Sequence, residues 1–204
     1  PYQKNSSTSI LPAVAVAAPT EGIDYRALRM PQPTATAGKI EVLEFFWYGC
    51  PHCYDLEPQV EAWAKRQGKD VVFTRVPVAF DELRSAHSRL YYALEALGRL
   101  DLNAKVFNAM HVEHRRLLQE DEIADFAASN GIDRAKWLAT YRSFSVIAKT
   151  NNANKMAALY QLEGVPTFAV QGKYLTSQSM AGSKAHTLEV VDGLIALART
   201  EKRR

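Results

Sequence analysis

The sequence predicts an α/β fold split in two by an all-helical insertion, and three observations carry that expectation. First, two runs rich in β-branched and aromatic residues, "KIEVLEFFWY" at Lys39–Tyr48 and "DVVFTRVPV" at Asp70–Val78, flank an amphipathic helical stretch early in the chain. Second, from Asp81 to about Leu162 the apolar spacing is helical, with almost no strand signal. Third, strand character returns in "PTFAVQGKYLT" and gives way to a last amphipathic helix, "KAHTLEVVDGLIALARTEKRR". The outer pieces, residues 23–80 and 163–204, are expected to form one domain, with 81–162 inserted into it and 1–22 as an N-terminal arm.

Taken in order, the arm contains "ILPAVAVAAP", apolar but short and broken by Pro12 and Pro19. Its "AVA" at Ala15–Ala17 fits the small-residue pattern of a secretory cleavage site. "GIDYRALRMPQPTATAG" reads as a short strand followed by a loop. In the Lys39–Tyr48 strand, alternation sets Val42, Glu44 and Phe46 on one face, so a carboxylate falls among apolar neighbours. Pro51 opens the next helix, in the first turn where a missing N–H costs nothing. Leu56, Val60, Trp63 and Ala64 recur on one face of it, and Gly68 ends it. The insertion reads as helices over "SAHSRLYYALEALGRL", "LNAKVFNAMHVEHRRLL", "EDEIADFAASNG" with Gly131 just past the end, and the run from Asp133 to Gly164. Gln171–Gly172 supplies a hairpin turn between the returning strands.

Bulk properties exclude several classes of function. Of 204 residues, 25 are basic and 22 acidic, and the charges are interspersed, so the formal +3 does not mark a nucleic-acid binder. The "EKRR" end reads as a solvated helix terminus. No apolar run approaches the ~20 residues of a membrane span.

The chain holds two cysteines, Cys50 and Cys53, with Pro51 and His52 between them. That count fits neither a multi-disulfide scaffold nor a four-cysteine zinc site, and a bridge closing so small a loop removes little chain entropy. Redox chemistry is the better reason to keep the pair, and a C-x-x-C that follows a strand and opens a βαβ unit reads as thioredoxin-like. A thiol attacks only as thiolate. With Cys50 just before the helix, its sulfur faces unpaired backbone N–H groups and the positive end of the helix dipole, and His52 adds a donor or a positive charge. Cys53, one turn further in, can offer its S–H to Cys50 and is expected to be less exposed. Cys50 is thus the attacked and attacking sulfur, and Cys53 the resolving one. A fall in the Cys50 pKa from about 8.5 to about 4.5 would favour the dithiol at pH 7 by roughly 3.4 kcal/mol, on the order of 70 mV.

"VLEFFWYGCPHCYDLEP", with "GVPTF" after a helical block, resembles the DsbA family of periplasmic thiol–disulfide oxidants from about Ile23 to the C-terminus. The resemblance implies a thioredoxin fold with a helical insertion and a cis Val165–Pro166 peptide beside which substrate backbone pairs. It also implies a buried acid at Glu44, with a second acid and a basic residue at Glu57 and Arg75, which would form a charge cluster under the motif. Glu44 is then expected to accept the proton of Cys53 as Cys53 attacks. Catalytic roles fall to Cys50, Cys53, His52, Pro51 and Glu44, and substrate binding to Val165 and Pro166. Implied too are action as a monomer on reduced or unfolded secreted proteins in the periplasm, reoxidation by a DsbB-like membrane quinone reductase, and no bound cofactor, metal or nucleic acid.

Other readings are available to the same residues. His111 and His114 could join the cysteines as zinc ligands, but their spacing is tighter than usual, and both read instead as surface residues of an inserted helix. His87 and His186 read as ordinary helix residues. Trp47, Trp63 and Trp137 read as core, as do most of Phe45, Phe46, Phe73 and Phe168, while Met180 resembles a groove residue with altered loop spacing. A reducing thioredoxin would carry C-G-P-C, and an isomerase a dimerisation domain ahead of Ile23. A non-catalytic chaperone or peptide-binding module would need neither thiol.

Overall fold

A computed structural model describes residues 18–202; the signal-like "AVA" and the last two residues of the tail lie outside them. Its elements are β1 (Arg26–Ala27), β2 (Ile40–Phe46), α1 (Pro51–Lys65), β3 (Val71–Pro77), α2 (Ser85–Ala96), α3 (Asn103–His111), α4 (Glu120–Ser129), α5 (Arg134–Tyr141), α6 (Phe144–Leu159), β4 (Thr167–Val170), β5 (Tyr174–Ser177), α7 (Gln178–Ala181) and α8 (Lys184–Lys202), with a 3-10 turn at Leu100–Leu102.

The strands form one mixed sheet in the order β1-β5-β4-β2-β3. β2 lies inside it, parallel to β3 and antiparallel to β4, and all seven of its residues are buried. That is why its sequence is a near-continuous apolar run. Ile40, Val42, Phe168 and Val170 line the face that α1 and α8 cover through Leu56, Val60, Trp63, Val191 and Leu194. Leu43, Phe45 and Ala169 belong to a second core shared with the insertion, which reaches Leu90, Phe107 and Tyr160. Phe46 departs from the expected grouping with Val42. At the end of β2 its ring meets Tyr48, Tyr91 and Phe107, all of the insertion-side core.

The β4–β5 hairpin turns at Gln171 and Gly172, whose φ values of 54° and 64° are the positive pair that a two-residue turn of matching twist requires. Gly131 (φ 80°) follows α4 as expected, with Ile132 N–H donating back to Ala127 O at 3.1 Å.

Three local expectations change. The helix expected through "HVEHRRLL" stops at His111, where Val112 and Glu113 N–H share the Asn108 carbonyl. His114 and Leu117 then turn the chain at positive φ, and Leu117 is drawn fully into the core. The run after Asp133 is two helices, because Ser143 caps a new start by accepting from Val146 N–H. A short α7, capped by Ser177 and ended by Gly182 (φ 79°), occupies what read as loop.

Candidate active site

Cys50 is the N-cap of α1, with extended backbone (φ −85°, ψ 117°), and Pro51 is the first helical residue. The backbone amides at the helix start therefore point toward the Cys50 sulfur. Both cysteines stand as free thiols, Cys50 7% and Cys53 2% exposed.

The two sulfurs are driven in opposite directions. Cys50 is lowered from the usual thiol value to about 6, chiefly by the hydrogen bond from the Cys53 side chain; burial pushes the other way, and the Cys53 and His52 backbone amides and the His52 charge add to the lowering. Cys53 is pushed well up, first by burial, then by its bond and charge interaction with Cys50, with the Glu44 charge adding to it. At about 6 the Cys50 value lies above the illustrative value of about 4.5. Partial burial opposes the anion, and the Val165 carbonyl, which accepts from the Cys50 thiol at 3.4 Å, offers a thiolate nothing.

Beneath the pair lies a buried charge cluster built from three elements. Arg75 Nε of β3 donates to Glu44 Oε2 of β2 at 3.0 Å. Arg75 Nη2 pairs with Glu57 Oε2 of α1 at 3.0 Å, out of line for a hydrogen bond, and with Glu61 Oε2 at 3.6 Å. Glu44 and Arg75 are brought level by the parallel register of β2 and β3, in which they are direct partners. One cation thus faces two buried carboxyls, Glu44 and Glu57, and a third, Glu61, that reaches solvent. Burial raises Glu44 despite Arg75, and raises Glu57 to about 7. Arg75 is pushed further up by both acids and stays charged.

Val165–Pro166 is a cis peptide. Val165 and Pro166 line a groove of about 500 Å³ together with His52, Leu162, Thr167 and Met180. Met180 reaches this wall because α7 turns it back toward the loop, which the loop spacing alone concealed.

Two histidines differ from expectation. His111 is half-buried rather than a surface residue: its Nε2 donates to the Tyr48 carbonyl at 2.7 Å and its ring stacks on Tyr54 at 4.7 Å. His87 is 2% exposed and is no ordinary helix residue. Its Nδ1 accepts from Trp47 Nε1 at 2.8 Å and its Nε2 donates to Arg116 O at 2.9 Å, which fixes a neutral ring whose pKa burial lowers. Trp47 is itself only half-buried, folded over Gly49, where a Cβ would fall 2.3 Å from the indole. His114, exposed and past the end of α3, shares no face with His111. Among the described residues no cluster of three or more His, Cys, Asp or Glu could hold a metal ion.

Asn103 and Tyr48 went unpredicted. Tyr48 OH donates to Asn103 Oδ1 at 2.6 Å, and Asn103 Nδ2 donates to Glu57 Oε1 at 2.8 Å. No local pattern marks Asn103, because its partner Glu57 stands 46 residues away in sequence.

The comparisons agree with this geometry. Residues 68–189 match the DSBA-like thioredoxin domain. The thiol:disulfide interchange protein DsbA of Burkholderia cepacia is 45% identical over 91% of this chain and 89% of its own length. The DsbA of Pseudomonas aeruginosa strain PAO1 is 42% identical over 88% and 86%. The crystal structure of Pseudomonas aeruginosa DsbA superposes with a TM-score of 0.87 at 41% identity, over 91% of this chain and 97% of that one. The oxidoreductase NmDsbA1 of Neisseria meningitidis follows at 0.82 and 29%, over 92% and 98%. The domain match starts beyond Cys53, but the Burkholderia alignment, at 91% of the chain, spans the dithiol as well. A thioredoxin fold with a helical insertion, a dithiol at the mouth of its first helix and near full-length relatives of one kind lead to one assignment: the chain belongs to the DsbA family of thiol:disulfide interchange proteins.

Proposed function

We propose that this oxidoreductase works as a disulfide donor, passing a Cys50–Cys53 bridge to reduced secreted proteins in the periplasm. A substrate thiolate attacks Cys50 Sγ, the Cys50–Cys53 bond breaks, and a mixed disulfide forms while Cys53 leaves. A second substrate thiolate then attacks the substrate sulfur of that mixed disulfide. Cys50 departs as thiolate, the substrate is oxidised by two electrons, and the enzyme is left as dithiol. The observation that carries the direction is the Cys50 sulfur held down to about 6 at the helix mouth, which makes it the better leaving group and favours the reduced form.

The remaining roles follow from position. Cys53, buried and pushed up, leaves poorly as an anion and needs a proton. Glu44, raised by burial and felt by Cys53, supplies it in this direction and takes it back when Cys53 attacks. Arg75 and Glu57 set the charge around Glu44. Pro51 fixes the helix start and His52 supports the Cys50 anion. Val165 and Pro166 present backbone and an apolar edge to the bound substrate segment, with Met180 opposite. The cysteine pair is the whole redox centre, so the reaction calls for no bound cofactor, and a DsbB-like membrane quinone reductase restores the bridge. The chain acts as a monomer.

The test is substrate oxidation by the oxidised protein and its Cys50→Ser variant, using a reduced dithiol peptide. Loss of oxidation by at least three orders of magnitude in the variant is expected. Equal peptide protection from aggregation by both, with no difference in oxidation, would instead make the chain a binding module.

A further inference from the structure

The charge cluster is built of acids and an arginine, yet one wall of it is neutral and comes from the insertion. Asn103 is the first residue of α3 and is 4% exposed. Its amide is held at both ends. The carbonyl accepts from Tyr48 OH at 2.6 Å, and Nδ2 donates to Glu57 Oε1 at 2.8 Å. Tyr48 stands two residues before Cys50, and Glu57 lies one turn beyond Cys53 on the same helix. The line Tyr48–Asn103–Glu57–Arg75–Glu44 therefore starts and ends in the chain around the dithiol, and Asn103 is its only member from the helical insertion.

Charge counting gives the line a function. Glu57 is faced by Arg75 from β3, by Glu44 from β2, by Glu61 on its own helix and by Asn103 from α3. Tyr91 of α2, itself acted on by Glu95, and Tyr48 complete the surroundings. Glu44 and Glu57 share one arginine and are both raised by burial, so the cluster holds one of them charged more easily than both, and a proton is shared between them. A hydrogen bond donated to a carboxylate favours its charged form, and an amide whose carbonyl is already fixed by a tyrosine hydroxyl cannot turn its acceptor end toward Glu57 without losing that bond.

We propose that Asn103 is a positioning residue that steers the shared proton: its N–H favours Glu57 as the carboxylate and, against the Arg75 Nε hydrogen bond that favours Glu44 as the carboxylate, shifts the proton toward Glu44, the acid that serves Cys53. This deepens the disulfide-donor reading and rests on it. When substrate thiolate attacks Cys50, the Cys50–Cys53 bond breaks, Cys53 takes the proton from Glu44, and Glu44 is left as carboxylate beside Arg75. Asn103 touches neither sulfur and acts through Glu57.

The test is the rate at which the oxidised protein oxidises a dithiol peptide, followed against pH for the wild type and for Asn103→Leu. Leucine keeps the branched heavy-atom outline of the side chain and removes both polar ends. With the donor gone the proton moves to Glu57, Arg75 acts on Glu44 alone, and Glu44 releases its proton earlier. The alkaline fall of the rate, relative to wild type on the same peptide, should shift down by about one pH unit, roughly five-fold in rate at the wild-type midpoint and close to ten-fold a unit above it. Glu57→Gln, which is neutral at every pH, should give a similar shift, and adding Asn103→Leu to it should move the midpoint no further. Tyr48→Phe, which frees the amide while leaving Asn103 in place, should move the midpoint in the same direction by less and serves if Asn103→Leu does not fold. A rate reduced equally at all pH values, or additive shifts in the double variant, would overturn the proposal. If Glu44→Gln leaves the profile unchanged, the fault lies with Glu44 as proton partner; if Glu44→Gln alters it and the Asn103 and Tyr48 variants do not, the fault lies with Asn103.

Discussion

Cys50 and Cys53 are the same chemical group three residues apart, and what separates them is which end of a hydrogen bond each occupies. Cys53 donates and Cys50 receives, so the bond lowers one and raises the other, while burial weighs most heavily on Cys53. Glu44 sits in the same dry layer, held by Arg75 at 3.0 Å. Glu44→Gln keeps the shape and removes the proton. It should slow disulfide donation near pH 7 by roughly 100-fold, within the usual worth of general acid–base help, and erase the alkaline limb assigned to Glu44; a stopped-flow profile indistinguishable from wild type would remove Glu44 from the chemistry. At this scale legibility follows sequence distance. The dithiol, Pro51 and His52 are contiguous, and the acid in a strand of apolar residues stands out in "VLEFF". His87, Asn103 and His111 do not, because their partners Trp47, Glu57 and Tyr48 are 40, 46 and 63 residues away.

Among the elements, the ones that hold the site are those with the strongest patterns. β2 and β3 read from β-branched and aromatic content, and α1 from its apolar face, because each has a burial pattern that repeats over several residues. The breaks inside the insertion were less legible: a periodic apolar face continues across a cap such as Ser143, and nothing local to "HVEHRR" shows that Leu117 will be pulled into the core. Removing the Ser143 cap as Ser143→Ala should lower stability by about 1 kcal/mol without altering oxidation by the folded protein. A denaturation midpoint unchanged by that variant would mean α6 does not depend on its cap. The β4–β5 turn makes a larger demand. Gly172 has φ 64°, and a Cβ there would lie 2.1 Å from the Gln32 carbonyl, whose residue donates its N–H to Gly172 O at 2.8 Å. Gly172→Ala should cost about 2 kcal/mol or more in chemical denaturation; a cost below about 0.5 kcal/mol would show that Gln32 moves aside freely.

For the whole molecule, the site is a seam. The sheet and α1 supply the dithiol, Glu44, Glu57 and Arg75. The insertion closes over them through Asn103, His111 and His87, and the loop before β4 brings Val165 and Pro166 back to Cys50. That architecture ties redox state to stability. The folded Cys50 value of about 6 lies below that of a free thiol, so its contribution to the reduced fold is complete above the unfolded value and disappears as pH falls through 6. At pH 7 it is at most about 1.4 kcal/mol, or about 30 mV, because only the one unit between about 6 and ambient pH counts. Glu44 and Glu57, both raised, act the other way with pH in either redox form, and Cys53, raised in the dithiol form, opposes Cys50 only as pH nears the unfolded thiol value, so between pH 6 and 8 the difference between the two forms reports chiefly Cys50. Between pH 6 and 8 the dithiol form should gain stability over the disulfide form, and parallel denaturation curves at both pH values would contradict this.

The most direct measurement of the central claim is ultraviolet thiolate absorbance of the reduced protein titrated with pH, alongside Cys50→Ser. One transition centred near pH 6, present in the wild type and missing in the variant, is the expected result. A first transition only above about pH 8, where an ordinary thiol ionises, would contradict the account and leave Cys50 without the stabilised anion that makes the pair a disulfide donor.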